Sequence, residues 1–441
     1  MAANEQPSPL GAQPEPAPQA PLSLTSREQA EVELESLKAS YSGWFGGTGV
    51  GRYRDGTSGL DRLYDVESPV ELSAVVRRKV RITAVALPVF LNSGTITPSN
   101  FATGQVPYLG TLAASATKQP AQQYSNGIGG ELQMTGRDAG LAVGYTPFEF
   151  LVHNFTGRFS WRPLGGHLTV FAERDPVKDT QLSYAGLRDP GALSLGVQGP
   201  IWGGVIATTG GARLDLGHPG GSGTSFYISG DGGVLTGRHV FDNNRFEGAT
   251  GAAFRIKGWP GYGSLTLGGE LRGMHYQRNE AGLSYGQGGY FSPNYYVAAS
   301  VPVTVRGYIN SNFHYIVTGA LGVQNFEQDE APFYPLDLSL QAGFVPSNGA
   351  TCAAGQAPSL NCGEYPGTVT TLFNYLIDAE TSYRFGSHWY GGGFVTANNE
   401  RNYNNVSAGF FFRYTFRAQR ISEGRPTGLF PTDGFRPLQI P

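Results

Sequence analysis

The side chains with chemistry to offer fall at every second position. Between Thr371 and Phe385, Asn374, Asp378, Glu380 and Arg384 share one parity with Leu376 and Ser382, while Phe373, Tyr375, Ile377, Ala379, Thr381, Tyr383 and Phe385 take the other. Arg413 repeats this between Asn405 and Arg417, on the parity opposite Val406, Ala408, Phe410, Phe412, Tyr414 and Phe416. Arg158, Glu173, Glu270, Arg272 and Tyr276 hold the polar parity of their own segments. Carboxylates, amides and guanidinium groups at period two line one face of a strand, where they offer many hydrogen-bonding contacts and no assembled reaction centre.

Catalytic signals are poor. Gly282-Leu-Ser-Tyr-Gly286 matches the nucleophile-elbow pattern, yet it sits in a loop spanning Arg278 to Pro293 and not between a strand and a helix. Glu270, Asp378 and Glu380 include the residue types of a glycosidase pair, but such a pair is defined by a separation that sequence does not supply. The 7 histidines are scattered without paired spacing, so neither a metal nor a cofactor is expected. Cys352 and Cys362 lie in a Gly/Pro/Ser-rich segment. They are a disulfide candidate in an oxidising compartment, with two unpaired thiols as the alternative.

The elements that must carry these residues are strands. About 16 segments are expected: Gly43 to Arg54, Gly59 to Val75, Lys79 to Asn92, Gly127 to Gly136, Asp138 to Thr146, His153 to Arg162, Gly166 to Arg174, Pro200 to Gly217, Gly221 to Gly237, Phe246 to Gly258, Tyr262 to Gln277, Asn294 to Arg306, Ser311 to Phe326, Thr371 to Phe385, Ser387 to Ala397 and Asn405 to Arg417. Connections after even-numbered segments are tight, as at Arg137 and Gly386. Those after odd-numbered ones are mostly longer, as at Ser93 to Asn126 and Glu327 to Thr370. Short turns at one rim and long loops at the other are the pattern of an all-β transmembrane antiparallel barrel, with both termini at the periplasmic rim. The aromatic parity then faces lipid and the polar parity a wet lumen. The segment from Val80 to Leu91 is apolar on both parities, so its outward face is undetermined.

Composition agrees with a turn-rich β protein: 64 of 441 residues are Gly, aromatics are 12% and charged residues 15%. A net charge of -3 without a basic block argues against nucleic acid as a partner. No apolar run approaches the length of a spanning helix, which leaves a closed barrel as the route across a bilayer. Residues 1–24 are Pro/Ala/Gln-rich and read as a disordered linker without a signal peptide. On that reading the chain is part of a longer precursor or has a misassigned start. Residues 25–40 read as a short helix with Thr25 and Glu28 at capping-box spacing, 41–417 as the barrel, and 418–441 as a tail.

Several segments carry a resemblance. They are Gly59-Leu-Asp-Arg-Leu-Tyr-Asp-Val-Glu67 with Pro69, Asp179-Thr-Gln-Leu-Ser-Tyr-Ala-Gly186 followed by Arg188-Asp-Pro190, Trp202-Gly-Gly-Val205, Gly288-Gly-Tyr-Phe-Ser-Pro293 and Val301-Pro-Val-Thr304. In this order they resemble the C-terminal domain of the bacterial cellulose synthase operon protein C family, over roughly Tyr41 to Arg417. The resemblance implies an outer-membrane export channel for cellulose or a related exopolysaccharide. Its implied partners are the polysaccharide chain, outer-membrane lipid and the periplasmic components of the cellulose synthase complex. The family also has a periplasmic array of tetratricopeptide repeats, of which only Thr25 to Ser40 could be a remnant here.

A conduit for such a chain needs weak polar contacts to sugar hydroxyls and aromatic faces for C–H surfaces, because tight binding at one point stalls movement. Arg158, Glu173, Glu270, Arg272, Tyr276, Asn374, Asp378, Glu380, Arg384 and Arg413 are the expected lumen contacts. The loop motifs at Tyr184, Arg188 and Asp189, and at Tyr290 and Phe291, are expected to fold inward as a gate. Two alternatives remain: a general diffusion porin for small solutes, with a wide lumen and no gating loops, and an outer-membrane hydrolase, which requires a Ser/His/acid set at one barrel height.

Overall fold

The computed structural model describes residues 41–77, 80–96, 108–113, 123–163, 166–193, 198–217, 224–259, 263–310, 312–344, 360–399 and 403–418. The expected linker and helix, Cys352, and the tail beyond Ala418 lie outside them. Cys362 is disulfide-bonded.

Alternation makes strands and closure makes a barrel. The strands are β1 (Trp44–Arg54), β2 (Leu63–Glu67 and Val70–Val76), β3 (Val80–Asn92), β4 (Tyr124–Thr135), β5 (Ala139–Tyr145), β6 (Phe155–Trp161), β7 (Leu168–Pro176) and β8 (Ile201–Leu216). They continue as β9 (Thr224–Arg238), β10 (Asn243–Trp259), β11 (Gly263–Tyr276), β12 (Tyr295–Asn310), β13 (Phe313–Gln328), β14 (Thr368–Phe385), β15 (Trp389–Asn398) and β16 (Asn405–Thr415). The two pieces of β2 are one strand. Val50 opposes Glu67 and Gly47 opposes Val70, so the register is unchanged across Ser68 and Pro69. Pro69 has no N–H to give the ladder, but its carbonyl still accepts from the Thr48 amide at 2.9 Å. Each strand pairs antiparallel with its chain neighbour, and β16 returns to β1 from Trp44 opposite Thr415 to Arg54 opposite Asn405. The result is a closed barrel of 16 strands with no unpaired edge.

The expected segments correspond to these strands one for one, with differences at the ends. β4 begins at Tyr124, β14 at Thr368 and β12 runs on to Asn310, because backbone pairing continues past the expected ends. Among the described residues no helix is long and apolar enough to cross a membrane.

The outer surface is apolar. Phe373, Phe410 and Leu321 are 58%, 65% and 60% exposed, whereas the inward Asn374 and Ser382 are 4% and 1% exposed. The β3 ambiguity resolves the same way: Val80 and Phe90 point outward, and Val89 and Leu91 are buried inside the barrel. Their apolar character inside a polar lumen has a cause in the loops.

Candidate functional site

Those loops enter the barrel. The connection from β7 to β8 forms a five-residue helix, α1 (Gln181–Ala185), started by Thr180, whose hydroxyl accepts from the Ser183 amide while the Ser183 hydroxyl accepts from the Thr180 amide. Every residue of α1 is buried. Its Tyr184 and Ala185 pack with Phe150 against Leu63, Val89 and Leu91, which explains the apolar inner face of β3. The Trp202-Gly-Gly-Val205 segment of β8 admits α1 closely. Gly203 and Gly204 have φ of 98° and 61°, and a Cβ on either would collide with Leu182 or Val152.

A larger apolar cluster lies at the long-loop end of the barrel. It joins Leu182, Leu187 and Trp202 to Leu283, Tyr290 and Phe291 of the β11–β12 loop, and rests on the inward Met274, Tyr276, Tyr296 and Phe326. Trp202 is fully buried. Phe291 meets Phe326 edge-on at 5.2 Å between ring centroids, and Tyr290 lies 6.0 Å from Tyr276. Above this, Phe333 packs its ring at steep angles against Tyr108 of the β3–β4 loop and Phe344 and Tyr365 of its own β13–β14 loop.

Polar ties fasten this plug to the wall. The Tyr184 hydroxyl donates to Glu67 Oε1 at 3.2 Å, and Lys178 Nζ donates to the same oxygen at 2.6 Å. Arg54 donates to the Asp179 carbonyl, lies 3.8 Å from its carboxylate and stacks 3.5 Å over the Tyr403 ring. Asp179 Oδ2 in turn accepts from the Phe291 amide at 2.9 Å, and Thr180 Oγ1 donates to the Gly289 carbonyl at 2.8 Å, so the two loops are tied to each other. Asp189 accepts from the Thr111 hydroxyl at 2.7 Å and the Gly191 amide at 2.8 Å, while Arg188 donates to the Gly199 carbonyl at 3.0 Å. Glu280 is fully enclosed, with the Gly288 amide donating to Oε2 at 3.1 Å, and burial pushes its carboxyl up to about 9. Burial also raises the Tyr290 hydroxyl, with Glu280 adding to the shift.

Below the plug the wall is polar. Arg158 Nε donates to Asp175 at 2.6 Å and Nη1 to Glu131 at 3.1 Å. Arg272 donates to Glu247 at 2.6 Å, and Arg245 pairs with Asp231. Glu173 accepts from the Thr209 hydroxyl at 3.3 Å, Glu270 from Tyr227, and Asp378 from the Thr396 hydroxyl at 2.8 Å. Arg384 donates to Asn312 at 3.3 Å, and the Arg413 guanidinium lies 3.6 Å over Trp44. Glu380 and Asn374 share their β14 face. Aromatic faces lie among them: a Cβ on Gly392 would strike the Phe411 ring and one on Gly409 the Phe394 ring, so both rings are pressed flat on the wall.

All ten expected lumen residues therefore sit on the inward parity, and Tyr276 differs in being covered by the plug. The five expected loop residues converge in or beside it. Sequence reasoning missed Arg54, Glu67, Lys178, Asp179 and Tyr403 as ties, although Glu67 ends one of the quoted motifs and Asp179 begins another. Ser284 of the nucleophile-like motif is fully buried. It donates to the Phe333 carbonyl at 2.6 Å and accepts from Tyr365 at 3.0 Å, a packing role in the loop roof.

The family described as "Cellulose synthase operon protein C C-terminus" matches residues 61–417. The chain belongs to this family. It is 30% identical over 375 residues to the cellulose synthase operon protein C of Pseudomonas fluorescens (strain SBW25), covering 83% of this chain and 26% of that protein. It is 30% identical over 353 residues to that of Komagataeibacter xylinus, covering 76% and 26%. The chain thus spans about a quarter of the length of these curated relatives. Among solved structures it is similar to a bacterial polysaccharide outer membrane secretin, with TM-score 0.49, 10% identity, and 86% of this chain and 99% of the other covered.

Proposed function

We propose that this barrel is the outer-membrane exit of a cellulose-like glucan, and that the β7–β8 and β11–β12 loops are its gate. The observation that carries the reading is the inward-folded apolar plug, with Trp202 and Phe291 at its centre, over a polar lumen. A general diffusion porin calls for a wide mouth without inward-folded loops, whereas here two loops inside the barrel are tied to each other and to the wall, which supports a gate. The lining supports a moving sugar chain: hydroxyl-binding groups at many heights, with flat rings between them. In this reading the chain is not an enzyme. Its partners are the glucan, outer-membrane lipid and periplasmic components of a cellulose synthase complex.

Planar-bilayer recording of the full chain tests this. Small, intermittent conductance that enlarges when Tyr184 and Phe291 are both replaced by Ala, and that long cello-oligosaccharides block more strongly than glucose, is the expected result. Large steady conductance indifferent to glucans would return the assignment to a diffusion porin.

A further inference from the structure

The lumen is charged in two layers along its axis. On β14, Asp378 and Glu380 lie inside the barrel and Arg384 lies next to the turn; on β10, Glu247 lies inside and Arg255 nearer the turn. The same order runs around the barrel. Arg81, Arg213, Arg255, Arg306, Arg384 and Arg413 all take the inward parity close to the short-turn ends of β3, β8, β10, β12, β14 and β16. Asp215 joins this level through its ion pair with Arg213, and the inward Glu71 lies in register with Arg413 across Gly46. Further in, Glu173, Asp231, Glu270, Asp378 and Glu380 form a carboxylate belt; Arg245 pairs with Asp231, while Arg158 and Arg272 pair with the neighbouring Asp175 and Glu247. On the β14 face of that belt, Asn374 Oδ1 and Ser382 Oγ are buried without a protein hydrogen-bond partner among the described residues.

We propose that the collar and belt sort polymers by charge: the arginine collar holds acidic polysaccharide at the short-turn mouth, the belt repels it, and a glucan without carboxylates passes. This rests on the export reading above. Fixed charges in a pore with low-dielectric walls are focused along its axis and are screened only over about 8 Å at physiological salt. A polyuronate bears one carboxylate per sugar. It gains at the collar and loses at the belt, so it stops between them, whereas an uncharged chain feels neither layer.

Two measurements on the full chain decide it. In detergent at low salt, fluorescein-labelled oligogalacturonate should bind, and Arg255→Gln with Arg306→Gln should weaken binding by about tenfold, while cello-oligosaccharide binding is unchanged. Absence of binding, or binding indifferent to these changes, overturns the collar. In a bilayer under a KCl gradient, with the plug loosened by Tyr184→Ala and Phe291→Ala, the current should be cation-selective, and Asp378→Asn with Glu380→Gln should cut the cation-to-anion ratio by about twofold or more. A non-selective or anion-selective current overturns the belt. No current at all counts against the channel reading itself, and the detergent measurement still decides the collar.

Discussion

The Tyr184 hydroxyl donates to Glu67 Oε1 at 3.2 Å, joining a buried loop helix to the wall of β2. Glu67 also receives Lys178 at 2.6 Å, and the ammonium lies 5.1 Å from the Tyr184 ring centroid, so one carboxylate organises both groups. Tyr184→Phe removes one hydrogen bond and keeps the ring packed on Phe150, costing the closed plug roughly 1 kcal/mol. Glu67→Gln weakens the hold on both donors and leaves the ammonium facing a neutral partner, costing roughly 2 to 3 kcal/mol. The open fraction in single-channel records should rise in that order. Equal open fractions in both variants and the parent would remove this contact from the gate.

Phe291 is the apolar anchor of the other loop, buried against Phe326 and Tyr296. Phe291→Ala should cost the plug roughly 3 to 5 kcal/mol. The loss is local, because the β ladder does not pass through this side chain. Proteolysis between Arg278 and Pro293 should accelerate while the unfolding midpoint of the barrel holds. A parallel fall in barrel stability would show that the plug and wall unfold as one unit.

The Glu280 carboxyl is raised by burial to about 9, with Arg278 opposing the shift and Asp242 adding to it. In an opened loop it returns to an ordinary carboxylate value. The closed plug therefore binds a proton that the open loop releases, and closure weakens as pH rises from about 4.5 to about 9. Hydrogen exchange in the β11–β12 loop, corrected for its intrinsic pH dependence, should show more frequent opening at pH 9 than at pH 6. Glu280→Gln should flatten that difference; an unchanged slope in the variant would assign it to another group.

The two faces of a strand should respond oppositely to charge. Leu321→Arg places a guanidinium on the lipid face of β13 and should cost roughly 2 to 4 kcal/mol if it lies near the bilayer midplane. Thr396→Lys, on the inward face of β15 beside Asp378, should cost less than about 1 kcal/mol. Denaturant titration of both in vesicles checks this, and equal losses would contradict the inside-outside assignment.

Period-two alternation from Phe373 to Phe385 and from Val406 to Phe416 was enough to specify strands, their faces and a wet interior, because each strand carries its own face in its parity. Alternating short and long connections specified the hairpin order and which rim holds the termini. Tertiary structure alone decided β3. Val89 and Leu91 are as apolar as their neighbours of the other parity, so composition left the face open; they point inward, where Tyr184 and Ala185, about a hundred residues later in the chain, cover them. It also decided the plug: nothing local tells Arg54 to pair with Asp179 or Asp179 to receive the Phe291 amide. Strand parity is local and repeats every two residues, whereas loop docking depends on several loops meeting across a closed barrel.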